Sequence, residues 1–243
     1  LVAQHDVLRH RFVEADEGWR QSGLEVEDQD LLEAVDLSHL DAAARPAALA
    51  EHAARLQASL NLADGPLLRA ALFDLGPQQP QRMLLIIHHL VIDGVSWRIL
   101  FEDFARLHDQ KSRGEPLQLP PKTSAFRSWA ENLQTYAQSP EAERELGYWR
   151  ARPWSLSAAL PLDHPGGRNT YETEAVEHIL FDPEETAALL HEVPSVYHTQ
   201  INDLLLAALL EAFSDWTGQR ALLIGLEGHG REDLFDDIDI SRT

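Results

Sequence analysis

The chain has 243 residues, 44% of them apolar and 25% charged. That is enough for one large domain or two modest lobes around a real core, and it excludes a collagen, a coiled-coil rod or wholesale disorder. A count of 40 acidic against 20 basic side chains gives a formal charge of −20, which sets the surface against nucleic acid and anionic membrane; with no cysteine, disulfides, thiolate zinc sites and a cysteine nucleophile are all excluded.

Taken in chain order, Leu1, Val7, Leu8 and Phe12 predict a short opening helix. Strands are expected around 24–27 and 31–37. Ser38, Asp41 and Pro46 mark a helix start. Leu49, Ala53, Leu56 and Leu60 then share one helical face that ends before Asp64-Gly65. Residues 66–75 and 81–90 read as two strands, the second apolar on both faces and so expected at the centre of a covered sheet. Val95, Ile99, Leu100, Phe104 and Leu107 recur at helical spacing, and residues 117–122 with Pro120-Pro121 form a linker. Helices are expected over 124–137 and 140–150. Pro161, Pro165, Gly166 and Gly167 mark a boundary between lobes. A strand over 171–181, a helix entered at Asp182-Pro183, a helix over 201–216 and a last strand over 221–226 follow. The class is mixed α/β.

The longest apolar run, 83–92, holds two histidines and falls short of the ~20 residues a spanning helix needs. No secretory leader pattern opens the chain. With Leu1 inside an expected helix and no closing element at Thr243, the sequence reads as an internal piece of a longer, cytoplasmic polypeptide.

Chemistry concentrates in two segments. In His88-His89-Leu90-Val91-Ile92-Asp93-Gly94-Val95-Ser96-Trp97, two imidazoles close an oily strand, where an unpartnered polar group costs ~1–3 kcal/mol. Neighbouring strand side chains point to opposite faces, so one histidine braces the fold and the other faces a cavity. Asp93 sits at the strand-to-helix turn beside Gly94. It either caps the following helix or takes part in a site, and a metal site fits poorly because adjacent strand histidines diverge. In Glu227-Gly228-His229-Gly230-Arg231-Glu232, a carboxylate is followed by alternating glycines after an expected strand. This is either a tight solvated turn or a close backbone approach. It lacks the Gly-Lys-Ser/Thr of a phosphate loop.

Together these segments resemble the condensation superfamily of nonribosomal peptide synthetases, and within it the epimerisation domains. The resemblance rests on the two segments above, on Pro121-Lys122-Thr123-Ser124-Ala125-Phe126 with Trp129, and on Thr199-Gln200-Ile201-Asn202-Asp203-Leu204-Leu205-Leu206. It implies a V of two chloramphenicol-acetyltransferase-like lobes, residues 1–164 forming one and 165–243 part of the other. The family domain extends beyond the last residue here, so a truncated domain is expected. A tunnel between the lobes would receive the phosphopantetheine arm of a peptidyl or aminoacyl carrier domain, and the domain would need no cofactor of its own and no metal.

Carried over by position, the resemblance makes His89 and Glu227 the catalytic acid/base pair. His88, Asp93, Gly94 and Arg11 become structural, with Arg11 or Arg9 as the expected partner of Asp93. Ser96, Trp97, Gly228 and His229 become candidates for lining the substrate tunnel. The implied reaction inverts the α-carbon of a carrier-bound thioester. A condensation domain joining two carrier-bound substrates and a non-catalytic carrier-docking module are the other readings. Arg98, Arg106, Lys111, Arg113, Lys122 and Arg127 either form a basic patch for the carrier or lie on solvated helix faces.

Overall fold

A computed structural model describes residues 1–26, 30–156 and 159–243. Contacts group them into two compact units, Leu1–Ser139 with Gly228–Thr243, and Pro140–Glu227. The chain thus returns to its first unit at Gly228, whereas the sequence reading draws a single boundary between 164 and 165.

The first unit opens with a 3-10 turn, Asp6–Arg9, and strand β1, His10–Ala15, in place of the expected helix. The reason is pairing. β1 runs antiparallel to β2, Gly18–Gly23, with Arg11 opposite Ser22 and Phe12 opposite Gln21. Only Leu8, Arg11 and Phe12 of this stretch are buried, too few for a helical stripe. The strand predicted over 24–27 is displaced upstream into β2. Residues 24–26 carry no strand, and Glu27 lies outside the described residues.

A three-stranded sheet follows the order β3-β4-β5, where β3 is Leu32–Asp36, β4 is Leu68–Asp74 and β5 is Arg82–Ile87. β3 and β4 are parallel, joined through helix α1, Arg45–Ala58, as a parallel crossover requires. β4 and β5 are antiparallel. Among the described residues the centre is therefore β4, and β5, expected there, pairs with β4 alone. Burial follows the pairing. Ala71 and Phe73 of β4 are wholly buried, whereas Met83 of β5 is 42% exposed.

Two apolar clusters stabilise this unit. Val35, Leu37, Ala71, Phe73 and Leu75 pack under Leu56 of α1. Leu8, Phe12, Leu67, Leu68, Val91, Ile92 and Leu100 form the other. Period-two alternation lets one strand serve both, since Ala71 and Phe73 point one way and Leu68 the other. Helix α2, Gly94–Ser112, buries Ile99, Leu100 and Asp103, and helix α3, Phe126–Tyr136, buries Trp129. The ring of Trp129 meets the edge of Phe235 at 5.3 Å.

The second unit contains helix α4, Pro140–Arg150, a short helix α5, Pro183–Ala187, a π turn over Ala188–Glu192, helix α6, Val193–Tyr197, and helix α7, Ile201–Thr217. The Asp182-Pro183 start holds. Asp182 accepts from Glu185 N at 2.8 Å, and Glu185 reaches back to Asp182 N, closing a capping box. The strands expected over 171–181 and 221–226 do not form among the described residues. Ile179 and Leu180 are 84% and 93% exposed, with no neighbouring strand to bond. Strand preference is a preference for a packed surface, and here none is supplied. No described helix is long and apolar enough to cross a membrane.

Candidate functional site

The histidine-rich segment lies where β5 gives way to α2. The ladder continues one bond past β5, from His88 N to Leu67 O at 2.9 Å, and the chain then bends into a 3-10 turn over His89–Val91. His88 caps that turn, its Nδ1 accepting from Leu90 N at 3.2 Å. His88 therefore braces the fold. His89 is exposed and lines a cleft of about 180 Å³. His88 is not among the residues that line that cleft, and from His89 on the chain follows the turn rather than a strand.

Asp93 has two tasks. Its Oδ1 accepts from Ser96 N at 2.7 Å, capping α2. Its Oδ2 accepts from Arg231 Nη1 at 2.5 Å. The guanidinium also donates to Ser96 Oγ at 2.9 Å and to the main-chain oxygen of Thr243 at 3.1 Å. Burial pushes the Asp93 carboxyl up, but hydrogen bonds from Arg231 and Ser96 outweigh it and hold the group down at about 2.

Anchored in this way, Arg231 fixes the loop that precedes it. Its backbone N–H donates to His229 Nδ1 at 3.0 Å across Gly230, whose φ of +66° is left-handed and suits glycine. His229, Gly230 and Arg231 line the same cleft as His89, Asp93 and Ser96, together with Phe126 and Trp129. Further along, Asp239 N donates to Ser124 Oγ at 3.0 Å, and Ser124 N to Asp239 O at 2.8 Å. A buried carboxylate secures the far side. Asp103, 2% exposed, binds His5 Nε2 at 2.9 Å and Arg242 Nη2 at 2.5 Å. The cleft is thus walled by residues from several stretches of chain, Val7, Gln21, 89–96, 126–129 and 229–243 among them, all within one unit.

The sequence model of the condensation-domain family matches residues 1–243. The chain belongs to the condensation-domain family. One of the linear gramicidin synthase proteins of Brevibacillus parabrevis is 47% identical over 243 residues, which are 100% of this chain and 3% of that protein. Among solved structures, the epimerization domain from the third module of tyrocidine synthetase B is 39% identical with a TM-score of 0.85, over 100% of this chain and 54% of that one. The first condensation domain of the calcium-dependent antibiotic synthetase is 24% identical with a TM-score of 0.62, over 90% of this chain and 51% of that one, a likeness of fold. This condensation-family chain accordingly spans about half of the solved domains it matches and a small fraction of the gramicidin synthase protein. The mixed α/β class read from the sequence is the class of the family.

The remaining predicted residues of this family domain fall as follows. Gly94 opens α2 and is exposed. Trp97 packs against the Leu100 cluster and stacks on Phe101 at 5.5 Å, and it is not among the residues that line the cleft. Gly228 begins the returning segment, and Glu227, exposed, ends the second unit.

The expected pairing of Asp93 with Arg11 or Arg9 is corrected. Arg11 is 6% exposed, donates to His10 O at 2.8 Å and lies over Gly65, where a Cβ would fall 2.1 Å from its Cζ. Arg9 pairs with Asp6 at 2.8 Å. Arg9 closes the opening 3-10 turn and Arg11 stands on β1, and the cation at Asp93 comes from the far end of the sequence instead. No local feature of the sequence singles out Arg231 as that partner, which stands 138 residues from Asp93.

Four of the six basic residues from Arg98 to Arg127 are paired. Arg98, Arg113, Lys122 and Arg127 each meet a carboxylate, namely Glu102, Asp109, Asp6 and Glu131. No three His, Asp or Glu side chains gather as metal ligands among the described residues.

Proposed function

We propose that this domain epimerises the α-carbon of an aminoacyl or peptidyl residue held as a thioester on the phosphopantetheine of a carrier domain. The observation that carries the reading is the likeness of the whole of this chain to about half of a solved epimerization domain, 39% identical at a TM-score of 0.85, against 24% and 0.62 for the condensation domain named above. The cleft adds to it, because the motif segment that starts at Glu227 delivers His229 and Arg231 beside His89 and Asp93.

In this reading the thioester carbonyl acidifies the Cα–H. One group removes that proton, the electron pair passes into the carbonyl as an enolate, and a second group returns a proton to the opposite face. His89 and Glu227 fill these roles. Glu227 opens the motif segment whose His229 and Arg231 line the His89 cleft. Each positioned acid or base contributes ~10²–10⁴-fold. The partner is a peptidyl or aminoacyl carrier domain, and the chemistry is supplied by the thioester and these side chains.

The test uses the native full-length protein with a loaded carrier in deuterated water. The unsubstituted protein exchanges the α-proton and yields both configurations, while Glu227→Gln binds the carrier and exchanges none. Full exchange in Glu227→Gln removes Glu227 from the chemistry. Dipeptide formation from two loaded carriers, without α-exchange, assigns the domain to condensation instead.

A further inference from the structure

An enolate oxygen gains most from a hydrogen-bond donor fixed in place before charge develops on it. The polar side chains of the His89 cleft are mostly engaged already. Asp93 and Ser96 bind Arg231, both terminal nitrogens of Arg231 are spent on them and on Thr243, and its Nε is buried. Gln21 Nε2 lies 2.6 Å from His10 Nδ1.

His229 differs from these. Its Nδ1 accepts the Arg231 N–H at 3.0 Å and so carries no proton, which leaves the ring proton on Nε2. The bond spans only the left-handed Gly230, and Arg231 is itself held by Asp93 and Ser96 of the turn that carries His89. The tautomer of His229 is therefore set by the same ion pair that holds the loop against α2. The ring is exposed and lines the cleft.

We propose that His229 is a catalytic hydrogen-bond donor, its Nε2–H stabilising the thioester oxygen as it becomes an enolate. This rests on the epimerase reading above. No bond to His229 forms or breaks. One member of the His89–Glu227 pair takes the α-proton and the other delivers a proton to the opposite face, the carbonyl π bond opens and re-forms, and Nε2 of His229 keeps its proton throughout.

Two substitutions separate donation from loop building, measured as α-proton exchange in deuterated water with the native full-length protein and an aminoacyl-loaded carrier. His229→Asn keeps an acceptor for the Arg231 N–H, as an Asx turn does, but withdraws the distal N–H. His229→Gln keeps a distal N–H and gives up the acceptor in the ring position. Donation predicts that His229→Asn loses about 100- to 1,000-fold in kcat with KM nearly unchanged, and that His229→Gln recovers at least about tenfold of it. A purely structural histidine gives the reverse order, with Asn at or above Gln, and that order overturns the proposal. So does an Asn variant exchanging at the unsubstituted rate. An unsubstituted protein that exchanges no α-proton refutes the epimerase reading itself, and the role of His229 falls with it.

Discussion

Substituting Asp93→Asn separates the two tasks of that carboxylate. Asparagine keeps an oxygen for Ser96 N and so keeps the cap of α2, but the charge facing Arg231 is gone. Holding the carboxyl at about 2 rather than 3.8 corresponds to roughly 2.4 kcal/mol at about 1.36 kcal/mol per unit. Asp93 is 38% exposed, so solvent screening reduces this to about 1 kcal/mol. The sign follows from the direction. The folded state holds its proton less tightly than the unfolded chain, so the stabilisation is complete above about pH 4 and is lost as pH falls toward 2. A double-mutant cycle of Asp93→Asn with Arg231→Met, followed by urea unfolding on tryptophan fluorescence, measures the coupling free of effects on the cap. The expected coupling is about 1 kcal/mol at pH 7 and roughly half that at pH 3. A coupling near zero at pH 7, or one unchanged at pH 3, refutes the argument that this ion pair holds the returning segment on α2.

Gly65 has φ of +73° with the Arg11 guanidinium against it, so Gly65→Ala is expected to destabilise by about 1–3 kcal/mol, read as a lower urea midpoint at unchanged slope. Phe73, wholly buried under α1, should cost about 3–5 kcal/mol when cut to alanine. Burial holds the His5 imidazole below its usual range, with Asp103 opposing, so the folded state protonates at lower pH than the unfolded chain. Stability is then complete above about pH 6.5 and declines as pH falls, and His5→Gln should flatten the decline between about pH 6.5 and 5 in thermal melts. His10, also depressed by burial, leaves a residual slope in that variant.

Local pattern carried much of the fold. The helical spacing from Val95 to Leu107 appears as α2, the Asp182-Pro183 start as a capping box, and the apolar stripe of 201–216 as α7. Each of these is written within a few residues, through period, cap or proline, and so can be read without knowing the rest of the chain. The candidate site was legible in part. The strand-to-helix turn before Asp93 and a capping role for that residue follow from neighbouring residue types, whereas residue types alone left open which of His88 and His89 faces a cavity, and the structure sets His89 on the cleft.

Other features waited on partners far away in sequence. The cation of Asp93 lies 138 residues on, and no local rule prefers Arg231 to Arg11. β5 reads as a central strand because its residues are oily, yet the sheet order that, among the described residues, leaves it beside β4 alone is a matter of pairing. Residues 171–181 have strand composition and form none, since a strand exists only where a neighbour takes up its backbone groups. By itself, then, the sequence determined where α2, α5 and α7 begin and which of their faces are apolar. The tertiary structure decided which arginine meets Asp93, which strand lies innermost and which nitrogen of His229 holds the proton, because each depends on a hydrogen bond or ion pair whose two halves become neighbours only after the chain has folded.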